Sequence, residues 1–282
     1  MATTKEMKKN VFLLLLICFS GTVEATYNRI ISLAPAVTEE LYLLGAGNDI
    51  VGVTTYCDYP DSAKQKEKIG TYLEPNIEKI IRLKPDLILA TKEGQKEDLV
   101  VRMKKYGLYV YTLDPCSNYR EISAQFLQLG KLLGKEARAK KLLDSLNKRT
   151  AAVTRKTKKA PRTTVFWQIG TEPLMTIAKN TFPDEIITLA GGINIAHESP
   201  VRYPRYNREE VVRQNPDVFI LTAMGESTDA EKKEWGKYTD LKAVKNTRIF
   251  ILDARRTCNP TPVNFVEALE MTAKILHPEL FK

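Results

Sequence analysis

The sequence predicts an α/β protein of two lobes, each built on a parallel sheet, joined by one long α-helix. Three observations carry this prediction. The stretch EKIIRLKPDLIL (residues 78–89) returns in outline as EEVVRQNPDVFI (residues 209–220), 131 residues later, a spacing far longer than a solenoid period. On either side of the middle of the chain, short, wholly apolar runs alternate with helical segments, as expected for strands buried on both faces of a parallel sheet. Between the two halves lies a single basic amphipathic stretch, residues 131–162.

The first element is not part of either lobe. Lys5, Lys8 and Lys9 precede the apolar VFLLLLICF, and Val23, Glu24 and Ala25 supply a cleavage site after Ala25, which predicts a secretory signal peptide over residues 1–25. Its apolar run is about half of what spans a bilayer. Lipid attachment at Cys18 is disfavoured by the bulky Ile17 before it.

The first lobe, residues 26–133, opens with the strand RIISLAP and a helix whose start is signalled by Thr38 and whose end is signalled by Gly45 and Gly47. GAGND there follows a helix, whereas a dinucleotide fingerprint follows a strand, so it reads as a helix stop. Next come the strand IVGVTTY, the repeated unit, a helix near residues 96–106 and the strand LYVYTLD. In each copy of the repeat an Asn, Asn76 or Asn207, caps a short helix and a Pro, Pro85 or Pro216, stops it before an apolar strand. The connecting helix, residues 134–159, belongs to a basic run in which Leu132, Leu133, Ala137, Ala139, Leu142, Leu143 and Leu146 form one apolar face. The second lobe, residues 160–282, brings TTVFWQIG, a helix near residues 183–189, the second copy of the unit, the strand TRIFILD and a last helix, VNFVEALEMTAKIL.

Composition excludes several functions. The net charge of +9 would suit nucleic acid, but the excess lies on the solvated back of the connecting helix with no interleaved aromatics, so no nucleic-acid partner is expected. Without the signal segment, Cys57, Cys116 and Cys258 remain, which allows one disulfide with one free thiol, or none. The histidines are His197 and His277, with no HExxH or CxxC pattern, so no dedicated metal site is expected. There is no GxSxG elbow, and Glu39-Glu40 and Glu209-Glu210 are adjacent pairs that point to different sides of a helix. No catalytic residue is assigned.

Ligands of open α/β sheets bind at the carboxyl ends of the strands. That rule nominates the loops TTYCDYP, TYLEPN, VRYPRYN and ARRTCNP, together with Trp167 and Gln168. They carry Tyr56, Tyr59, Tyr72, Trp167, Tyr203 and Tyr206 beside Arg202, Arg205, Arg255 and Arg256. Aromatic faces with cationic edges suit a large flat ligand.

RIISLAPAVTEELYLLGAGNDIVGVTTYCDYP, IGTYLEPNIEKIIRLKPDLIL, the single long helix and YNREEVVRQNPDVFIL together resemble the periplasmic substrate-binding proteins of ABC importers for cobalamin and ferric siderophores, the cobalamin binders most of all. The resemblance covers nearly the whole mature chain. It implies two Rossmann-like lobes joined by a rigid helix, a monomer with no cofactor of its own, and a permease dimer as partner. It places Tyr56, Tyr72 and Tyr203 around a corrin ring, and Cys57, Trp167, Arg205, Arg255 and Asn259 lie on the same nominated loops and strand ends. Glu78 and Glu209 fall where the family presents one glutamate per lobe to permease arginines. The sequence departs from the cobalamin binders in having Tyr72 and Tyr203 where a Trp stands, Ile169 where a Phe stands, and Asn259 near an Arg position; a lobe disulfide is replaced near Ala190 and Thr272. Haem or a ferric siderophore is the alternative ligand, and an exported two-lobed enzyme or a sensor domain the alternative class.

Overall fold

The computed structural model describes residues 26–222 and 228–282, so the expected signal peptide and Cys18 lie outside the described residues. In the N-terminal lobe the chain runs β1 (Ile30–Ser32), α1 (Pro35–Leu43), β2 (Ile50–Val53), α2 (Asp61–Lys64), α3 (Ile77–Arg82), β3 (Leu87–Thr91), α4 (Glu97–Lys105), β4 (Val110–Leu113) and α5 (Tyr119–Leu132). The long helix α6 (Glu136–Thr157) follows. The C-terminal lobe contains β5 (Thr163–Thr171), β6 (Leu174–Thr176), α7 (Phe182–Leu189), β7 (Gly192–Asn194), α8 (Arg208–Gln214), β8 (Val218–Leu221), α9 (Thr228–Gly236), α10 (Lys242–Lys245), β9 (Ile249–Ile251), α11 (Ala254–Cys258) and α12 (Pro262–Leu276). Among the described residues no helix is long and apolar enough to cross a membrane.

The N-terminal sheet is parallel in the order β2-β1-β3-β4, with Ile30 opposite Leu87 and Ile88 opposite Val110. The second sheet repeats that frame: β5 is flanked by β7 and β8 in parallel, and β8 by β9. It departs from the all-parallel expectation at β6, which runs antiparallel to β5. A short turn at residues 172 and 173 lets the chain double back at once, which parallel neighbours cannot do.

The repeated unit is repeated in structure. Asn76 accepts from the Lys79 N–H at 2.9 Å and Asn207 from the Glu210 N–H at 2.7 Å, capping α3 and α8. After each helix one residue turns left-handed, Lys84 at φ 45° and Asn215 at φ 47°, before the Pro that blocks further helix. The Asp next to that Pro then fastens the neighbouring strand. Asp86 accepts from the backbone N–H groups of Asn28 and Arg29, and Asp217 from the N–H and hydroxyl of Thr164.

Two helix expectations are corrected. The first helix starts at Pro35, not near Thr38, because Pro is suited to the first helical position and Thr38 instead bonds the Ser32 hydroxyl at 2.8 Å. The basic run is not one helix either: α5 ends at Leu132, Gly134 takes φ 65°, and α6 starts at Glu136. A left-handed residue there ends one helix and resets the face of the next, so Ala137, assigned to the apolar face, is exposed. On α6 the buried stripe runs through Ala139 and Leu143 in the N-terminal core, then Leu146 and Val153 in the C-terminal core. One helix face serves both lobes. Tyr119 of α5 packs on Phe265 of α12, with ring centroids 4.9 Å apart, so the lobes are joined by packed apolar surface as well as by chain.

Candidate functional site

The carboxyl ends of both sheets face one boundary between the lobes, and its centre is a carboxylate. Glu39, one turn into α1, is 5% exposed. It receives the Asn259 amide at 2.7 Å, the Asn264 amide at 2.8 Å and the Arg255 guanidinium at 3.2 Å, all from the other lobe. Burial still pushes its carboxyl above the ordinary range, more than these three partners pull it down. Arg255 also lies over the Tyr59 ring, 3.9 Å from its centroid, a cation–π contact that ties the 54–60 loop to α11. Arg255 and Asn259, expected on the ligand, are therefore engaged in holding the lobes together.

A second crossing lies farther along the boundary. Arg202 donates to Glu93 at 3.1 Å and to the Asn180 carbonyl at 2.8 Å. Around this pair stand two of the expected aromatics, one from each lobe. Tyr72 packs against Gly94, where an added Cβ would run into the ring, and its hydroxyl meets that of Thr91 at 3.1 Å. Burial raises the Tyr72 phenol, and the Glu93 carboxylate adds to the effect. Tyr203 is 40% exposed, yet burial raises its phenol too, with Arg202 opposing and Glu93 and Cys258 adding. The Arg202 guanidinium lies over the Tyr203 ring, 5.5 Å from its centroid. Tyr72 packs against Gly94, next in sequence to Glu93, and Tyr203 against Arg202, so the two rings stand beside the same crossing.

The other nominated residues divide into exposed and buried ones. Tyr56 is 63% exposed on the 54–60 loop, and Arg205 is exposed beside β6. Trp167 is fully buried: successive residues of β5 alternate between the two faces of the sheet, and its face is covered by α7 and α12. Its indole donates to Thr222 at 3.0 Å. Gln168 is turned into the opposite layer, donating to Glu231 at 2.9 Å and accepting from Trp235 at 2.7 Å. Neither reaches the cleft. Cys57 is likewise buried against the Thr54 hydroxyl at 3.1 Å. The thiols of Cys57, Cys116 and Cys258 are unpaired, and burial raises each, Cys116 up to about 12, which keeps them unreactive.

Sequence reasoning set Glu39 aside as half of an adjacent pair and did not raise Glu93. A signal for α1 was present: Val37, Glu40, Leu41 and Leu44 share one helix face, so an acid on that apolar stripe announces burial. Glu40 is indeed fully enclosed, and burial with the neighbouring Glu39 charge holds its carboxyl well above the ordinary value. Glu93 carries no comparable mark, since its partner Arg202 is 109 residues away.

Glu78 and Glu209 lie in the first turns of α3 and α8, both exposed, and neither has an ion pair among the described residues. Among the described residues no group of three or more His, Cys, Asp or Glu is placed to hold a metal.

Comparison with known proteins agrees with this architecture. The periplasmic binding protein family matches residues 30–256. The vitamin B12-binding protein of Photorhabdus laumondii is 30% identical over 223 residues, 79% of this chain and 81% of its own. The crystal structure of the periplasmic vitamin B12-binding protein BtuF of Vibrio cholerae superposes with a TM-score of 0.77 at 29% identity, covering 91% of this chain and 98% of that one. A possible iron-binding (periplasmic solute-binding) protein from Staphylococcus epidermidis gives the same TM-score, 0.77, and identity, 29%, over 90% and 100%.

Proposed function

The chain belongs to the periplasmic binding protein family, as an extracytoplasmic substrate-binding protein of ABC importers, and we propose that its ligand is cobalamin or a related corrinoid. Members of this family bind and deliver; they are not enzymes. The observation that carries the corrinoid reading is the pair Tyr72 and Tyr203, one ring from each lobe, beside the Glu93–Arg202 crossing. Two broad faces set across a boundary grip a flat macrocycle, with phenols and arginines at its polar edge. The name of the Photorhabdus laumondii relative supports the same ligand. On this reading the chain is exported behind residues 1–25, works as a monomer, and docks on a permease dimer through Glu78 and Glu209, one acid per lobe for a two-fold partner.

Calorimetric titration with cyanocobalamin, haemin and a ferric siderophore tests the ligand. Cyanocobalamin is expected to bind, and Tyr72→Ala and Tyr203→Ala each to weaken it by about 1–3 kcal/mol, as for loss of an aromatic anchor. Preference for haemin or the siderophore would reassign the ligand. The arginines of the cleft, Arg202 and Arg205, favour that second reading, since both would suit carboxylates. Unchanged affinity in both tyrosine variants would move the site.

A further inference from the structure

At the crossing between Glu93 and Arg202 the arginine is engaged on every side that the structure records. Its guanidinium donates to the Glu93 carboxylate at 3.1 Å and to the Asn180 carbonyl at 2.8 Å, and it lies over the Tyr203 ring, 5.5 Å from the centroid. Standing alone beside Tyr203, an arginine would take a ligand carboxylate. Arg202 already has one, and that one comes from the opposite lobe.

Backbone contacts fix both halves of the crossing. Gln95 is 4% exposed; its amide donates to the Tyr72 carbonyl at 2.7 Å and the Leu33 carbonyl at 3.2 Å, and its side-chain oxygen accepts from the Thr91 N–H at 2.8 Å. That braces the turn carrying Glu93 against the loop carrying Tyr72. In the other lobe the Arg202 carbonyl accepts from the Ala178 N–H at 2.9 Å and the Pro204 carbonyl from the Thr176 N–H at 3.1 Å, which pins residues 202–204 to the segment 176–178. The negative charge of Glu93 is thus set beside both rings by structure that the rings themselves share.

We infer that Glu93 determines the charge preference of the ligand site: by occupying Arg202 and repelling carboxylates it selects macrocycles with a neutral rim over those with an anionic one. This rests on the reading that the ligand is gripped by Tyr72 and Tyr203. A corrinoid fringed with carboxamides brings no charge against Glu93. Haem brings two propionates, which must compete with Glu93 for Arg202 and lie near its charge, and like charges set together at an interface cost affinity. The side chains are partly exposed, Arg202 at 35% and Glu93 at 46%, and an ion pair so exposed adds little to the joining of the lobes. Its removal therefore changes selection more than stability.

The test is titration of the wild type, Glu93→Gln and the double variant Glu93→Gln with Arg202→Gln, each with haemin and with cyanocobalamin. Glu93→Gln keeps the size of the side chain and removes its charge, so the ratio of haemin to cyanocobalamin affinity should rise about tenfold, as for relief of a partly screened like-charge repulsion. Adding Arg202→Gln should cancel that rise, Glu93→Asp should keep the wild-type ratio, and high salt should shrink the difference between wild type and Glu93→Gln. A ratio unmoved by Glu93→Gln, or a rise that survives Arg202→Gln, would overturn the role of Glu93. The underlying reading fails in a different way: a wild type that prefers haemin would sink the corrinoid assignment, while a further gain for haemin in Glu93→Gln would still support Glu93 as the selecting charge. Binding of neither probe by any of the proteins would overturn both.

Discussion

In the N-terminal lobe the central strands are aliphatic, with Ile30, Ile31, Leu87, Ile88 and Leu89 at the core, and the aromatics stand outside them, Tyr56, Tyr59 and Tyr72 on loops and the buried Phe126 on α5. In the C-terminal lobe the matching strands carry Phe166, Trp167 and Phe219, closed over by Trp235 and Phe265. Both lobes nonetheless share one scaffold: an Asn cap, a short helix, a left-handed residue, Pro-Asp and a buried strand whose Asp fastens its neighbour. The contrast teaches that an aromatic within a strand becomes core, because both faces of a parallel sheet are covered, whereas an aromatic beyond the strand end stays at the lobe boundary. Tyr72 and Tyr203 are of the second kind and Trp167 of the first.

The docking acids give the largest expected effect. If the two lobes present equivalent glutamates, the double reversal Glu78→Lys with Glu209→Lys should abolish uptake, since like charges set against one another at an interface cost several kcal/mol. Ligand affinity and melting temperature should change little, because both residues are exposed. Normal permease pull-down and uptake by the folded variant would reduce the repeated acids to favourable first-turn charges worth under about 1 kcal/mol each.

Next comes the division between core and cleft. Trp167→Ala should cost about 3–5 kcal/mol of stability in a urea denaturation curve, whereas Tyr203→Ala should leave the unfolding midpoint nearly in place. A mild effect at Trp167 would blur the distinction between strand and loop aromatics.

A smaller effect sharpens the shared scaffold. Asp86→Ala and Asp217→Ala each strand backbone or hydroxyl donors at a strand start and should each cost about 1–3 kcal/mol. The two values should agree within about 1 kcal/mol if the repeat does the same work twice. Burial acts to raise the Asp217 carboxyl, but the Thr164 hydrogen bonds and the charges of Lys242 and Arg248 prevail and hold it below the ordinary value.

The smallest effect is a pH dependence confined to the N-terminal lobe. The folded-state value of Glu40 lies well above the ordinary 4.5, so its contribution favours folding fully below pH 4.5 and is lost as pH rises through the raised value. Melting temperatures of the wild type and Glu40→Gln should therefore diverge as pH rises from about 4.5, the wild type falling relative to the variant. Parallel curves would mean that the carboxyl is not enclosed in solution.

Local rules made much of this fold legible. Asn76, Asn207, Pro85 and Pro216 mark their helix boundaries by backbone chemistry that acts over a few residues, and wholly apolar runs mark buried strands wherever they occur. The break at Gly134 was hidden by continuous apolar spacing across it. The strand-end rule nominates loops: it took in Tyr72 and Tyr203, which stand beside the Glu93–Arg202 crossing, together with Trp167, Gln168 and Cys57, whose strand or loop turns them inward.

The sequence by itself determined the two-lobed α/β plan, the duplicated unit and the connecting helix, since caps, stops and apolar period are written within short windows. Only the tertiary structure decided which charges meet. Glu39 joins Arg255, Asn259 and Asn264 from more than two hundred residues away, and Glu93 joins Arg202 across 109. A buried carboxylate is stabilised by whatever donors the packing of the lobes brings within about 3 Å, and no local pattern encodes that.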